Sequence, residues 1–172
     1  MTFTAPSGRK VVIAGRPVIE ELTVEGTGIK PSLLCKKGTA ATQVVVVAAA
    51  TDKPSGWVGW DGEGAHPKMS PATRTTAYTA ADKCPVVYGP GTIIYGRLAS
   101  GQNVTKDTPL IPAEDGELQA AATATAVETD GTSHVTAALA GSFPAGGMIV
   151  ALAKENKDAS AGAANIIVES LI

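Results

Sequence analysis

Large aromatic rings are scarce in this chain of 172 residues: two Trp, three Tyr and two Phe, 4% of the whole. Any core must therefore be assembled from small and branched aliphatic side chains. Charge is also scarce, at 17%, and 14 Lys+Arg stand against 16 Asp+Glu for a formal net charge of −2. No strong basic cluster appears, which excludes a nucleic-acid-binding surface. A mean hydropathy of +0.13 excludes a disordered polyelectrolyte. The longest apolar run, 44–50, is far short of the roughly 18 residues a membrane-spanning helix needs. The opening Met1-Thr2-Phe3-Thr4-Ala5-Pro6 lacks the charged and apolar regions of a signal peptide, which predicts a chain made in the cytoplasm. Two cysteines, Cys35 and Cys84, form no metal-ligand spacing and no disulfide framework. Two reduced, buried thiols are expected, with a single disulfide as the minority reading.

What the chain does have is Ala, Thr, Gly and Val, which together make up nearly half of it. The length is that of one domain with an arm. Residues 1–18 read as an extended N-terminal arm, punctuated by Pro6, Gly8, Gly15 and Pro17, with an apolar patch Val11-Val12-Ile13. A β-branched patch of this kind invites pairing with another strand, so the arm is expected to be docked and to add little to folding. Residues 19–172 read as a single β domain.

Strand-like pieces then recur at short intervals. Glu20-Glu21-Leu22-Thr23-Val24 alternates, Ser32-Leu33-Leu34-Cys35 follows a turn, and the β-branched run 43–47 predicts burial on both faces. Trp57 and Trp60, spaced around glycines, suggest a turn or bulge. Residues 61–73 form the clearest loop. Pro85-Val86-Val87-Tyr88, Gly89-Pro90-Gly91 and 92–98 read as a hairpin. A turn at Asp115-Gly116 precedes another strand; the Ala/Thr tract 120–127 could read as helix on alanine propensity, but Thr, Val and Asp130-Gly131 within 123–135 favour strand–turn–strand. Two closing strands, 148–153 and 166–172, flank a polar loop at 158–162. About ten short strands, little helix and regular turn signals predict an all-β barrel or sandwich.

Catalytic constellations are weak. Asp61, Glu63 and His66 are ligand types, but the glycines and proline among them offer no rigid support, and a solvated loop is expected. His134 reads as a surface residue beside the Asp130-Gly131 turn. Gly28-Ile29-Lys30-Pro31-Ser32 lacks the second glycine of a nucleophile elbow. Gly89-Pro90-Gly91 lacks the Lys-Ser/Thr of a phosphate loop, and the sequon at Asn103-Val104-Thr105 has no secretory context. Glu20 and Glu21 project to opposite faces of a strand. The sequence predicts no catalytic residues, no metal, no cofactor and no enzymatic activity.

Residues 80–118 (Ala-Ala-Asp-Lys-Cys-Pro-Val-Val-Tyr-Gly-Pro-Gly-Thr-Ile-Ile-Tyr-Gly-Arg-Leu-Ala-Ser-Gly-Gln-Asn-Val-Thr-Lys-Asp-Thr-Pro-Leu-Ile-Pro-Ala-Glu-Asp-Gly-Glu-Leu) carry a resemblance. The order is strand, glycine turn, strand, Leu-Ala-small-Gly, then a turn and an Asp-Gly strand. It resembles the capsid decoration, or cement, proteins of tailed bacterial and archaeal viruses. The ending 147–172 and the block from Gly28-Ile29-Lys30-Pro31 to Trp57 are similar to that family as well. The resemblance implies a small β-barrel or sandwich on the outer surface of an assembled icosahedral capsid in the virion. Its implied partners are the major capsid protein and itself, as a homotrimer that clamps neighbouring capsid subunits. Val11, Val12, Ile13, Trp57 and Trp60 are the candidate contact residues, since apolar and aromatic side chains anchor protein interfaces. The alternative is a carbohydrate-binding β-sandwich in which Trp57 and Trp60 stack on sugar rings, which requires both indoles on one open face.

Overall fold

The computed structural model describes residues 3–6, 8–60, 62, 71–121 and 148–172. Within these residues the chain is all-β, with thirteen strands and a single 3-10 turn at Glu114–Gly116. The strands are β1 (Val12–Ala14), β2 (Val18–Val24), β3 (Leu34–Lys37), β4 (Gln43–Val46), β5 (Gly56–Val58), β6 (Lys83–Tyr88) and β7 (Ile93–Leu98). They continue as β8 (Gln102–Val104), β9 (Pro109–Pro112), β10 (Leu118–Ala120), β11 (Ala151–Ala153), β12 (Lys157–Ala159) and β13 (Ala164–Ser170).

The expected barrel is present twice. Strands β2-β4-β3-β5-β6 close a first barrel. Strands β7-β10-β9-β11-β13 close a second ring through the β13–β7 pairing, with β1 added at the edge of β7. β8 and β12 form a separate two-stranded ladder.

Strand alternation explains how the two barrels share material. Successive side chains of a strand point to opposite faces. On β3, Cys35 enters the first barrel's core while Leu34 joins the second cluster. β5 divides Val58 and Trp57 in the same way, and β6 divides Val86 and Val87. These three strands are a common wall. With apolar neighbours on both faces, adjacent residues such as Leu34 and Cys35, Trp57 and Val58, and Val86 and Val87 are apolar in succession rather than alternating.

Several expectations are corrected by this architecture. The pieces either side of Gly89-Pro90-Gly91 are strands but not a hairpin: β6 pairs with β2 and β5, and β7 pairs with β1, β10 and β13. The Gly-Pro-Gly turn carries the chain from one barrel to the other. Gly89 and Gly91 donate their N–H groups to the carbonyls of Ile172 and Ser170, at 2.8 Å each. Trp57 sits inside a strand rather than a bulge, because Gly56 brings β5 close to β6: a Cβ there would lie 2.8 Å from Val86 Cγ1. The run 43–47 is buried at Val44 and Val47 and only half-buried at Val45 and Val46. The polar segment 158–162 is not wholly loop, since Asp158 and Ala159 belong to β12. The Ala/Thr tract 123–135, His134, Asp61, Glu63 and His66 lie outside the described residues.

The wall is also pinned from the second barrel. Gly116, at φ +73, tucks against the first barrel, where a Cβ would meet Leu34 O at 2.6 Å and Val46 Cγ2 at 2.7 Å. Its N–H donates to Val47 O at 2.7 Å. Only glycine fits so close an approach with that backbone.

Candidate functional site

The N-terminal patch is built into the domain rather than standing off it. Val12 and Ala14 are in register with Ile94 and Ile93 of β7, with an irregularity between them. Tyr95 N–H donates to Val11 O at 2.8 Å, and Val11 itself is fully buried in the larger core cluster. Val12 and Ile13 are half-buried. The second half of the expected arm is thus a docked edge strand of its own chain, fixed by backbone bonds and by Val11 in the core.

The preceding residues meet a cationic–aromatic cluster. The Arg9 and Arg74 guanidinium carbons lie 5.7 Å and 5.0 Å from the Trp60 ring centroid, and that of Arg74 lies 4.7 Å from the Tyr95 ring. Arg74 Nη1 donates to Ser32 Oγ at 3.3 Å and Nη2 to Lys10 O at 3.1 Å. Trp60 Nε1 donates to Pro71 O at 3.0 Å, and Tyr78 Oη to Gly59 O at 3.1 Å. Planar guanidinium groups favour such stacked positions while their N–H groups bond outward. The cluster ties separated segments together: 9–10, Ser32, 59–60, 71–78 and β7.

Trp57 has a different task. It is fully buried in the larger core cluster, and its Nε1 donates to Ser170 Oγ at 3.0 Å across the wall. Ser170 Oγ in turn donates to Ile172 O at 2.8 Å. Trp57 therefore joins β5 of the first barrel to β13 of the second.

These placements decide the tryptophan question. Trp57 is 0% and Trp60 8% exposed, and Trp60 is flanked by two arginines. Neither indole lies on an open face, so the stacking platform that the carbohydrate alternative requires is not formed by this pair. The spacing of Trp57 and Trp60 in sequence could not reveal this, because the shared wall depends on pairings far apart along the chain.

Chemistry elsewhere is quiet. Cys35 and Cys84 are both free and buried in the first barrel. Burial pushes the Cys35 thiol well up and the Cys84 thiol up to about 12. Both stay protonated at neutral pH, and thiols need the thiolate to react. Among the described residues, no three His, Cys, Asp or Glu side chains gather as metal ligands. Two clefts, of about 310 and 400 Å³, are both lined by Asp115 and Glu117. In the smaller cleft Arg97 Nε donates to Glu117 Oε1 at 2.7 Å, which commits that guanidinium to a carboxylate. The large apolar side chains most open to solvent, among the described residues, are Val18, Ile19, Met148 and Leu171.

No family model matches the chain, and no curated protein matches it. Among solved structures that match is the crystal structure of the head fiber gp8.5 N base of bacteriophage phi29. That similarity has a TM-score of 0.47 and 12% identity, over 90% of this chain and 94% of that chain.

Proposed function

We propose that this chain is a structural protein of a virion that binds the outside of an assembled icosahedral capsid. It acts as a homotrimer that stabilises contacts between major capsid subunits, without catalysis. The observation that carries this reading is the shared wall. A capsid clamp must transmit load without deforming, and close-packed interiors with saturated backbone bonds do that. Here two barrels divide one wall, and Trp57 and Gly116 cross-tie it.

The segment that resembles the decoration family supports the same reading. Residues 80–118 run from the start of β6 through the Gly-Pro-Gly turn to β10, so they build part of both barrels and the link between them. Contact with a partner falls to side chains the fold leaves open. Val12 and Ile13 of the N-terminal patch are half exposed, whereas Val11 and Trp57 are consumed by the chain's own core. Val18 and Leu171 add apolar surface at one end of the molecule. They are brought together because Val18 pairs with Tyr88 and the next residue, Gly89, bonds Ile172.

Sedimentation of the purified chain with assembled shells of its own virus tests the proposal. Saturable co-sedimentation in multiples of three copies supports it. A chain that stays in the supernatant at every ratio contradicts it.

A further inference from the structure

We propose that the open end of β2 is a self-pairing edge: the stretch 16–20 of one copy lies antiparallel against 16–20 of a second copy, centred on Val18. This contact goes beyond the proposed capsid binding. A two-fold pair closes after two copies, so it joins a copy in one homotrimer to a copy in another.

The pairing pattern of β2 defines the edge. β2 is in register with β6 from Val18 (opposite Tyr88) to Thr23 (opposite Lys83), but with β4 only at Thr23 and Val24. Thr23 and Glu25 donate their N–H groups on the β4 side, to Thr42 O and Val44 O, whereas Val24 donates to Asp82 O on the β6 side. Backbone groups alternate in direction along a strand. The N–H and C=O of Ile19 therefore point away from β6, on the side that β4 does not reach. Val18 is 56% and Ile19 40% exposed on this stretch, and Arg16 and Glu20 are exposed as well. Apolar β-branched residues beside open backbone groups are a template for strand addition.

Charge complementarity selects a second copy as the occupant. Arg16, Val18 and Glu20 are spaced two apart, which places them on one face of an extended chain. Among the described residues Arg16 has no ion-pair partner, and the Glu20 carboxylate accepts from the Tyr88 hydroxyl at 3.3 Å. Antiparallel pairing about Val18 sets Arg16 of each copy opposite Glu20 of the other, so the stretch is its own complement. Opposite charges directly across a strand pair are favourable and like charges unfavourable. Centring the pair on Ile19 instead would set Glu20 against Val18 and lose both ion pairs. In the Val18 register each Ile19 N–H donates to the Pro17 carbonyl of the other copy. Pro17, which has no N–H of its own, and β4, which takes the edge at Thr23, bound the contact at its two ends. The register makes no use of Glu21, which has contacts elsewhere.

Cysteine substitution and charge exchange in the full chain test the proposal. A residue on the two-fold axis faces its own copy at a Cα separation of about 4.5 Å, within disulfide reach. Oxidation of native V18C should therefore give a covalent dimer on a non-reducing gel, at least about tenfold faster than oxidation of I19C. In sedimentation equilibrium, E20R sets like charges opposite each other in both symmetric pairs and should weaken the two-fold association about tenfold. The exchange R16E/E20R should restore it to within about threefold. A V18C chain that links no faster than I19C overturns the proposal, and so does an R16E/E20R chain that associates no better than E20R. Loss of shell binding in E20R with association between copies unchanged also overturns it, because the edge then takes a strand of the capsid. Self-pairing by a chain that leaves shells bare upholds this contact and refutes the capsid reading alone.

Discussion

Replacing Trp57 by alanine removes the largest fully buried side chain from the wall between the barrels and leaves Ser170 Oγ without its indole donor. Large-to-small changes at buried aromatic sites cost about 3–5 kcal/mol, because the surroundings relax only partly around the cavity. The lost hydrogen bond adds about 1 kcal/mol. The sum, about 4–6 kcal/mol, is a large share of the roughly 5–15 kcal/mol that holds an ordinary domain folded. For a chain of this size each kcal/mol moves the melting midpoint by about 2–4 °C, so Trp57→Ala should melt roughly 10–20 °C lower. Trp57→Phe keeps most of the volume and loses the N–H, so it should fall well short of that loss. Circular dichroism melts read the effect, and Trp60 remains as the fluorophore. In a cycle with Ser170→Ala, the Trp57→Phe variant should show a coupling of about 1 kcal/mol. A loss under about 3 °C for Trp57→Ala would mean that Trp57 does not join the barrels, and the shared wall would be refuted.

Val11→Ala should cost about 2 kcal/mol, read by denaturant unfolding, because Val11 is fully buried; a neutral result would show that β1 is not docked. Deleting residues 1–14 should therefore lower stability as well, contrary to the expectation that this segment adds little to folding. Arg74→Ala should cost about 2 kcal/mol through its two ring stacks and its bonds to Ser32 and Lys10, and Arg74→Lys should not restore it, since lysine lacks the planar fork. The buried thiols set an alkaline limit. The Cys84 value rises from 9.0 to about 12, so the folded state keeps a proton that the unfolded chain releases. That contribution is complete below pH 9 and fades as pH climbs towards 12, visible as falling denaturation midpoints that Cys84→Ala flattens. Native Cys35 and Cys84 should resist thiol labelling at pH 8 until the chain unfolds.

The all-β class was legible because turn residues recur at short intervals and no helical apolar stripe exists. Strand positions such as 20–24 and 43–46 were legible for the same local reason: β-branched residues between Gly, Pro and polar breaks. What local pattern could not convey was partnership. The Gly89-Pro90-Gly91 turn has hairpin chemistry, yet its N–H groups are taken by the distant chain end at Ser170 and Ile172. The same non-local pairing turned one expected barrel into two. At the candidate site, the apolar character of Val11 and the pairing capacity of 11–13 were readable. That the receiving edge is β7 of the same chain was not, because that choice is made by Ile93 and Ile94, some eighty positions along. Arg9 and Arg74 gave no sequence signal at all. Their role exists only where Trp60 and Tyr95 come together in three dimensions.

The central claim is attachment to a capsid surface by a rigid, non-catalytic body. Its most direct measurement is cryo-electron microscopy of shells incubated with the purified full chain, beside shells left bare. The account predicts added density on the outer surface, with two-barrel subunits in contact with neighbouring capsid subunits. Shells identical to the bare ones after incubation with a folded chain in excess would contradict it.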